Sequence, residues 1–213
     1  MVSWWPGDGN ANDIQGGNNG TLQGGATFAG GEVGQAFSFT SNTDEVLVPH
    51  NSNQNTGAQI TLDAWVLIPN PFGPSVVDAP EIIAKHTANM SDGYRFELIN
   101  SPPRNAFNGL FIEITTTDGF FDIEVDNVIT PGTWQHLAAT YDGAAIRLFV
   151  NGVEVGNTPA TGSLVPVTAD LTIGASNQST SRIIDEVELF NRALSPTEIG
   201  SIYAAGSAGK CKP

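Results

Sequence analysis

Short apolar stretches separated by Gly, Pro, Asn and Asp run the length of the chain, and most of them alternate with a period of two. Ala36-Phe37-Ser38-Phe39-Thr40 sets large apolar side chains on one face and small polar ones on the other, the pattern of a half-buried strand. Val46–Val48 continues this towards Pro49, and Thr21–Gln23 and Ala26–Phe28 predict two short strands inside a Gly- and Asn-rich opening segment. Ile60–Ile68 is the longest strand candidate, closed by Pro69. Glu81–Lys85, Tyr94–Ile99, Leu110–Thr115 and Phe121–Val128 follow, the last alternating Phe121, Ile123 and Val125 with Asp122, Glu124 and Asp126. Leu137–Tyr141, Ile146–Val150 and Val153–Val155 are joined by Asp142-Gly143 and Asn151-Gly152. These pairs accept the positive φ of tight hairpin turns, so the spacing predicts a three-strand meander. Leu171–Gly174 and Ile183–Phe190 complete the set.

One helix is expected. Ser195 suits the N-cap, Pro196 the first helical position, and Glu198 completes a capping box. Ile199, Ile202 and Tyr203 then form one apolar stripe that must dock on a sheet, and Gly206 ends the helix. Roughly a dozen closely spaced strands with one short C-terminal helix predict an all-β chain, a two-sheet antiparallel β-sandwich. No second composition block or long repeat appears, so residues 1–205 read as one domain and 206–213, small and polar, as a linker or tail.

The 213 residues are enough for a sizeable core, and 24 Gly with 13 Pro leave little room for long helices. Eight Lys and Arg against 22 Asp and Glu give a net charge of −14, which repels phosphate backbones and anionic membrane surfaces and favours neutral ligands and cations. No apolar run is long enough to span a membrane, and no basic-then-apolar leader is present. The acidic surface makes a monomer the default. A single cysteine, Cys211, excludes an internal disulfide; it is either an inert thiol or one half of a pair whose partner lies outside this sequence.

Four stretches in order carry a resemblance: Trp4-Trp5-Pro6-Gly7-Asp8-Gly9-Asn10 with Asn19-Gly20-Thr21-Leu22; Val33-Gly34-Gln35-Ala36-Phe37-Ser38-Phe39; Gly132-Thr133-Trp134-Gln135-His136 through Tyr141-Asp142-Gly143 to Phe149-Val150-Asn151-Gly152; and Ile184-Asp185-Glu186-Val187-Glu188-Leu189-Phe190-Asn191-Arg192-Ala193-Leu194-Ser195. Together they resemble the laminin G-like, concanavalin A-like jelly-roll domains of bacterial exported proteins. The resemblance implies two stacked antiparallel sheets and a secreted or cell-surface module within a larger chain. Where the family usually has Asp-Gly after its Phe-rich strand, this chain has Thr40-Ser41-Asn42.

The resemblance also implies a structural calcium ion, held by Asp8, Asn10, a carbonyl near Gly34, and Asp185. The residues themselves allow two readings. Asp8-Gly9-Asn10-Ala11-Asn12-Asp13 offers oxygen ligands at alternate positions, and Asp185 after Ile183-Ile184 needs a cation or donors if buried. Alternatively the Asn and Asp residues are turn formers and Asp185 begins a solvated strand.

Retaining glycosidases hold two carboxylates about 5–5.5 Å apart. In the family's Glu-x-Asp-x-x-Glu pattern Glu124 and Asp126 fit, but Ile129 stands at the third acidic position and Glu113-Ile114-Thr115 lacks the Asp, so a solvated strand face is the better reading of Asp122, Glu124 and Asp126. His50, His86 and His136 show no metal-ligand spacing, and neither a phosphate cradle nor a Gly-x-Ser-x-Gly elbow occurs. Trp65 and Trp134 sit in apolar strands and read as core, while Trp4 and Trp5 point to opposite faces if extended, so that one of them is either exposed or an anchor for the terminus. Lys85-His86 through Tyr94-Arg95 gathers residue types that read hydroxyls, so His86, Tyr94 and Arg95 are the candidate ligand contacts, the alternative being a plain hairpin with a solvated His. The expected function is a calcium-stabilised, non-catalytic module that binds a glycan or another surface ligand; the rivals are a glycoside hydrolase or polysaccharide lyase on the same scaffold, and a structural spacer.

Overall fold

The computed structural model describes residues 1–71, 78–87, 92–101 and 106–212. Fifteen strands follow in chain order: β1 (Ser3–Trp5), β2 (Thr21–Gln23), β3 (Thr27–Gly30), β4 (Gln35–Phe39), β5 (Glu45–Val48), β6 (Ile60–Leu67), β7 (Glu81–Lys85), β8 (Tyr94–Ser101), β9 (Ala106–Thr116), β10 (Gly119–Val125), β11 (Gln135–Tyr141), β12 (Ala145–Val150), β13 (Val153–Pro159), β14 (Leu171–Ile173) and β15 (Arg182–Phe190). The one α-helix among the described residues, α1, spans Pro196–Ala205.

Two antiparallel sheets result. The eight-stranded sheet has the order β13-β12-β11-β6-β15-β4-β3, with β1 added against β15; the seven-stranded sheet has the order β10-β9-β8-β7-β14-β5-β2. This is the two-sheet antiparallel sandwich that the alternation predicts, in the jelly-roll form that the resemblance implies. The inward residues of both sheets, among them Trp5, Phe37, Phe39, Leu62, Phe96, Ile112, Leu148 and Val187, form one continuous apolar core. The meander forms as expected: β11 pairs β12 and β12 pairs β13. Asp142 fixes the first turn by accepting from the backbone N–H groups of Ala144 at 2.9 Å and Ala145 at 2.8 Å.

The last strand changes partner along its length. Its first half pairs β4 through Arg182–Ile184, and its second half pairs β1, with Leu189 opposite Ser3 and Val187 opposite Trp5. Between the halves Glu186 and Val187 together oppose the single residue Ala64 of β6, a bulge in which Glu186 takes a left-handed backbone (φ 53°). Because the extra residue is absorbed there, Ile184, Val187 and Leu189 still face the core while Asp185 and Glu188 face outward.

The helix begins with the predicted reciprocal cap: Glu198 N–H donates to Ser195 Oγ at 3.3 Å and Ser195 N–H to Glu198 Oε2 at 2.8 Å. It covers the outer face of the eight-stranded sheet, where Ile199 and Leu194 close over Ala138, Phe149 and Phe190 in a second small core. Some expectations shift. The strand read as Phe121–Val128 is β10 and stops at Val125, because Asn127 turns left-handed (φ 56°). Trp65 is buried, but in the layer beneath the helix, its ring 5.8 Å from that of Tyr203 and 5.4 Å from His136; Trp134 precedes β11 and is half-buried. Trp4 and Trp5 are both buried, at 3 % and 0 % exposure.

Candidate functional site

The N-terminal loop and the last strand meet at one loop, Gly31–Gln35. Asp8 Oδ1 accepts the N–H of Gln35 at 2.9 Å, and Asp185 Oδ2 accepts the N–H of Val33 at 2.8 Å. Two glycines allow this convergence. A side chain on Gly34, whose φ is +70°, would begin 2.5 Å from Asp8 Oδ1, and one on Gly31 would begin 2.5 Å from Asp185 Oδ2. Asp185 is fully buried and its Oδ1 has no hydrogen-bond partner among the described residues. Burial pushes its carboxyl up to about 7, the charge of Glu186 reinforcing the rise and the backbone amides of Val33 and Glu186, with Lys212, opposing it. Burial acts the same way on Asp8, but the Gln35 amide and the Lys212 ammonium hold that carboxyl below its ordinary value.

A buried carboxylate with one oxygen unpartnered and the other held by a glycine-lined loop suits a cation, and Asp8, Asp185 and the carbonyls of the Gly31–Gln35 loop are hard oxygen donors. Asn10 does not join them: its amide donates to Asp8 O at 3.2 Å and accepts from Asn12 N–H at 2.9 Å, closing its own turn. Among the described residues, no three His, Cys, Asp or Glu side chains assemble for a metal.

A positive charge already reaches this corner. Lys212 Nζ lies 2.5 Å from Asp8 Oδ2 and 2.9 Å from Glu186 Oε1. Lys210 pairs with Glu188 and stands 5.1 Å from the centre of the Trp4 ring, while Trp4 Nε1 donates to Glu186 Oε2 at 2.7 Å. Residues 206–212 therefore include a docked segment: Gly206–Ala208 forms a 3-10 turn and the two lysines lie against the sheet. Cys211 between them is exposed. Further along the same outer face, Asp63 Oδ2 meets His136 Nε2 at 3.0 Å, with both side chains buried.

On the outer face of the seven-stranded sheet a second polar network surrounds Arg95. Its Nη2 lies 2.5 Å from Glu113 Oε2, its Nη1 3.5 Å from Glu97 Oε2, and its guanidinium carbon 5.7 Å from the centre of the Phe111 ring. Glu81 reaches His86 Nε2 at 3.0 Å with one oxygen, while the other accepts from Thr172 Oγ1 at 2.5 Å. Burial pushes Glu97 up to about 8 against the attraction of Arg95, and Glu81 and Glu113 add to the rise. Arg95 and His86 thus share a face. Tyr94, one residue earlier on β8, points the other way into the core, where its hydroxyl donates to Gln54 O at 3.2 Å and burial raises its pKa. Glu81 and Glu97 are not singled out by the sequence, although Arg95 and Glu97 have the same parity on β8, the available signal that they share a side.

Asp122 on β10 is exposed and Glu124 is half-buried, both on the outward face of an edge strand. Asp126 lies just past the end of that strand and is exposed. No helix among the described residues is long and apolar enough to cross a membrane.

Several solved structures share this architecture. The binding domain of Paraclostridial Mosquitocidal Protein 1 superposes with a TM-score of 0.77 at 13 % identity, over 95 % of this chain and 51 % of that one. The botulinum neurotoxin serotype D binding domain gives 0.75 at 15 % identity, over 96 % and 51 %. The chain thus spans about half the length of these toxin domains. Domain 4 of AbnA, a GH43 extracellular arabinanase from Geobacillus stearothermophilus solved with arabinotriose, gives 0.69 at 17 % identity and is matched almost end to end, over 94 % of this chain and 96 % of that one. No curated protein sequence matches the chain. Residues 40–200, well over half of the sequence, match the family described as the concanavalin A-like lectin/glucanases superfamily, whose two-sheet architecture is the one built here from β1 to β15. The chain belongs to that superfamily.

Proposed function

We propose that this chain is a non-catalytic, calcium-stabilised module that attaches a larger exported protein to a glycan or another cell-surface ligand. The observation that carries the non-catalytic part is the state of the glutamates on the outer face of the seven-stranded sheet. Glu97 and Glu113 flank Arg95, and Glu81 is held by His86 and Thr172. A retaining or inverting hydrolase instead needs two carboxyls set across an open cleft, one of them free to protonate the leaving oxygen. Binding is the theme of the similar structures: two are toxin binding domains, and the third was solved holding arabinotriose. Calcium is supported by the cradle around Asp8 and Asp185; when bound, the ion would neutralise the buried carboxylate and tie the N-terminal loop to β15.

A glycan array, with arabinotriose and other neutral oligosaccharides included, tests the reading. Retention of one or more glycans without release of shorter products is the expected result. Turnover of a polysaccharide that Glu97→Gln or Glu124→Gln abolishes would overturn it in favour of an enzyme. Silence on the array together with strong calcium stabilisation would leave only a structural spacer.

A further inference from the structure

We propose that the cleft between the Asp13–Asn18 loop and the segment Asn53–Thr56 is a subsite for a neutral, hydroxyl-rich segment of a glycan chain. The proposal rests on the reading of this chain as a glycan-binding module and assigns that function a place. The cleft holds about 430 Å3, within the roughly 300–1,000 Å3 typical of small-ligand sites. Gln15, Asn53, Asn55, Thr56 and Asn191 supply its polar lining, with Met1 and Val2 on one wall.

The chemistry of the lining selects the ligand class. The chain carries 22 acidic and 8 basic residues, yet among the described residues no charged side chain lines this cleft. A side-chain amide both donates and accepts, which matches a hydroxyl group, itself donor and acceptor. The amides of Gln15, Asn53 and Asn191 have no hydrogen-bond partner among the described residues, and the buried Oγ1 of Thr56 has none either. A second cleft of about 460 Å3, beside α1, differs in this respect: there Arg147 is bound to Asp142 at 2.6 Å, and the Gln59 amide already bridges Asp142 O and Ala193 N.

The walls are also held in place before any ligand arrives. Asp13, 6 % exposed, accepts the N–H groups of Trp4, Gln15 and Gly16 on Oδ1 and that of Asn18 on Oδ2, each at 2.9 Å, and so fixes the loop that presents Gln15. Asn51 and Gln54 cap the 3-10 turn that carries Asn53. Asn55 uses its amide to bond both N–H and C=O of Val167, each at 3.1 Å. A backbone already fixed confines the ordering cost of binding to the amide side chains themselves.

Titration of the 15N-labelled chain with xylotriose, maltotriose, arabinotriose and, as a charged control, trigalacturonate tests this by NMR. Expected are shifts centred on Gln15, Asn53, Thr56 and Asn191 with a neutral trisaccharide, unchanged by added salt, and weaker or absent shifts with the uronate. The exposed substitutions Asn53→Ala and Asn191→Ala are expected to weaken binding about 3- to 10-fold each, the loss of one hydrogen bond, with the melting temperature unchanged. Trisaccharide binding that shifts other residues and survives both substitutions would overturn the cleft and leave the glycan-binding module standing. Absence of binding to every glycan, here and on the array, would overturn both the cleft and the glycan-binding reading.

Discussion

Glu188 faces Asp63 directly across β15 and β6, and both carboxyl groups are almost wholly buried. Like charges in such a place are costly; the Lys210 ammonium pairs with Glu188, and burial favours the protonated form of that carboxyl. Burial, then the Asp63 charge, pushes Glu188 up to about 8, with Lys210 pulling the other way. His136, bound to Asp63, and Glu186 are the other titratable groups nearby.

A pH dependence follows with a definite sign. With its carboxyl raised to about 8 in the fold against an ordinary value of 4.5, Glu188 binds a proton more tightly in the folded than in the unfolded chain between those two pH values. Stability from this group is therefore complete below about 4.5 and is lost as pH rises through about 8. Asp185, raised to about 7, adds to the same trend. Urea midpoints measured across this range in EDTA are expected to fall, and Glu188→Gln is expected to flatten the profile and stabilise the alkaline end by about 1–3 kcal/mol. An unchanged slope in the variant would show that Glu188 is ionised in the fold.

Calcium is expected to raise the melting temperature, because a ligand held only by the folded state adds RT ln(1 + [L]/Kd), about 2.7 kcal/mol at a hundredfold excess over Kd. Asp185→Ala is expected to abolish the response, whereas Asn10→Ala, whose amide closes its own turn, leaves it intact. Calorimetry with calcium and with EDTA, beside metal analysis of the purified protein, measures this. Identical transitions and no copurified metal would remove the ion from the account.

Arg95→Ala is expected to destabilise the fold by about 3–5 kcal/mol, since it leaves Glu97 and Glu113 buried beside one another without their shared cation. Denaturant titration checks the magnitude. Full stability combined with lost glycan retention would instead make Arg95 a ligand contact.

Much of this fold is legible along the chain because its signals are local. Parity in Ala36–Thr40, the Asp142-Gly143 and Asn151-Gly152 turns, and the Ser195–Glu198 cap each depend on residues only a few positions apart. The polar sites depend on contacts across the sandwich. Nothing near Asp185 announces that Val33 will bind it, nor does the sequence around Glu188 reveal Asp63 or Lys210. Parity also separates Tyr94 from Arg95, so a cluster contiguous in sequence lies on two sides of one strand. Asp63 within Leu62-Asp63-Ala64-Trp65 is the readable warning that a strand face carries buried charge.

The docked C-terminal segment gives a last expectation. Truncation after Gly209 removes Lys210 and Lys212 from Glu188, Glu186 and Asp8. The loss is expected to be about 1–3 kcal/mol and to be larger above pH 8 than in acid, where a proton on Glu188 stands in for the ammonium. The pair Lys210→Met and Lys212→Met, followed by urea titration, is expected to reproduce it. A truncated chain as stable as the parent at every pH would mean that the lysines only rest on the surface.

The extra link at Glu186 makes β15 a strand with slack in it. Residues on either side keep step with their neighbours although two positions answer one, so the strand can gain or shed a single unit there without turning its oily side to solvent. Length variation elsewhere in β15 would invert every side chain beyond the change. Removing one residue at the kink would therefore restore one-to-one pairing with β6 without inverting the rest of the strand.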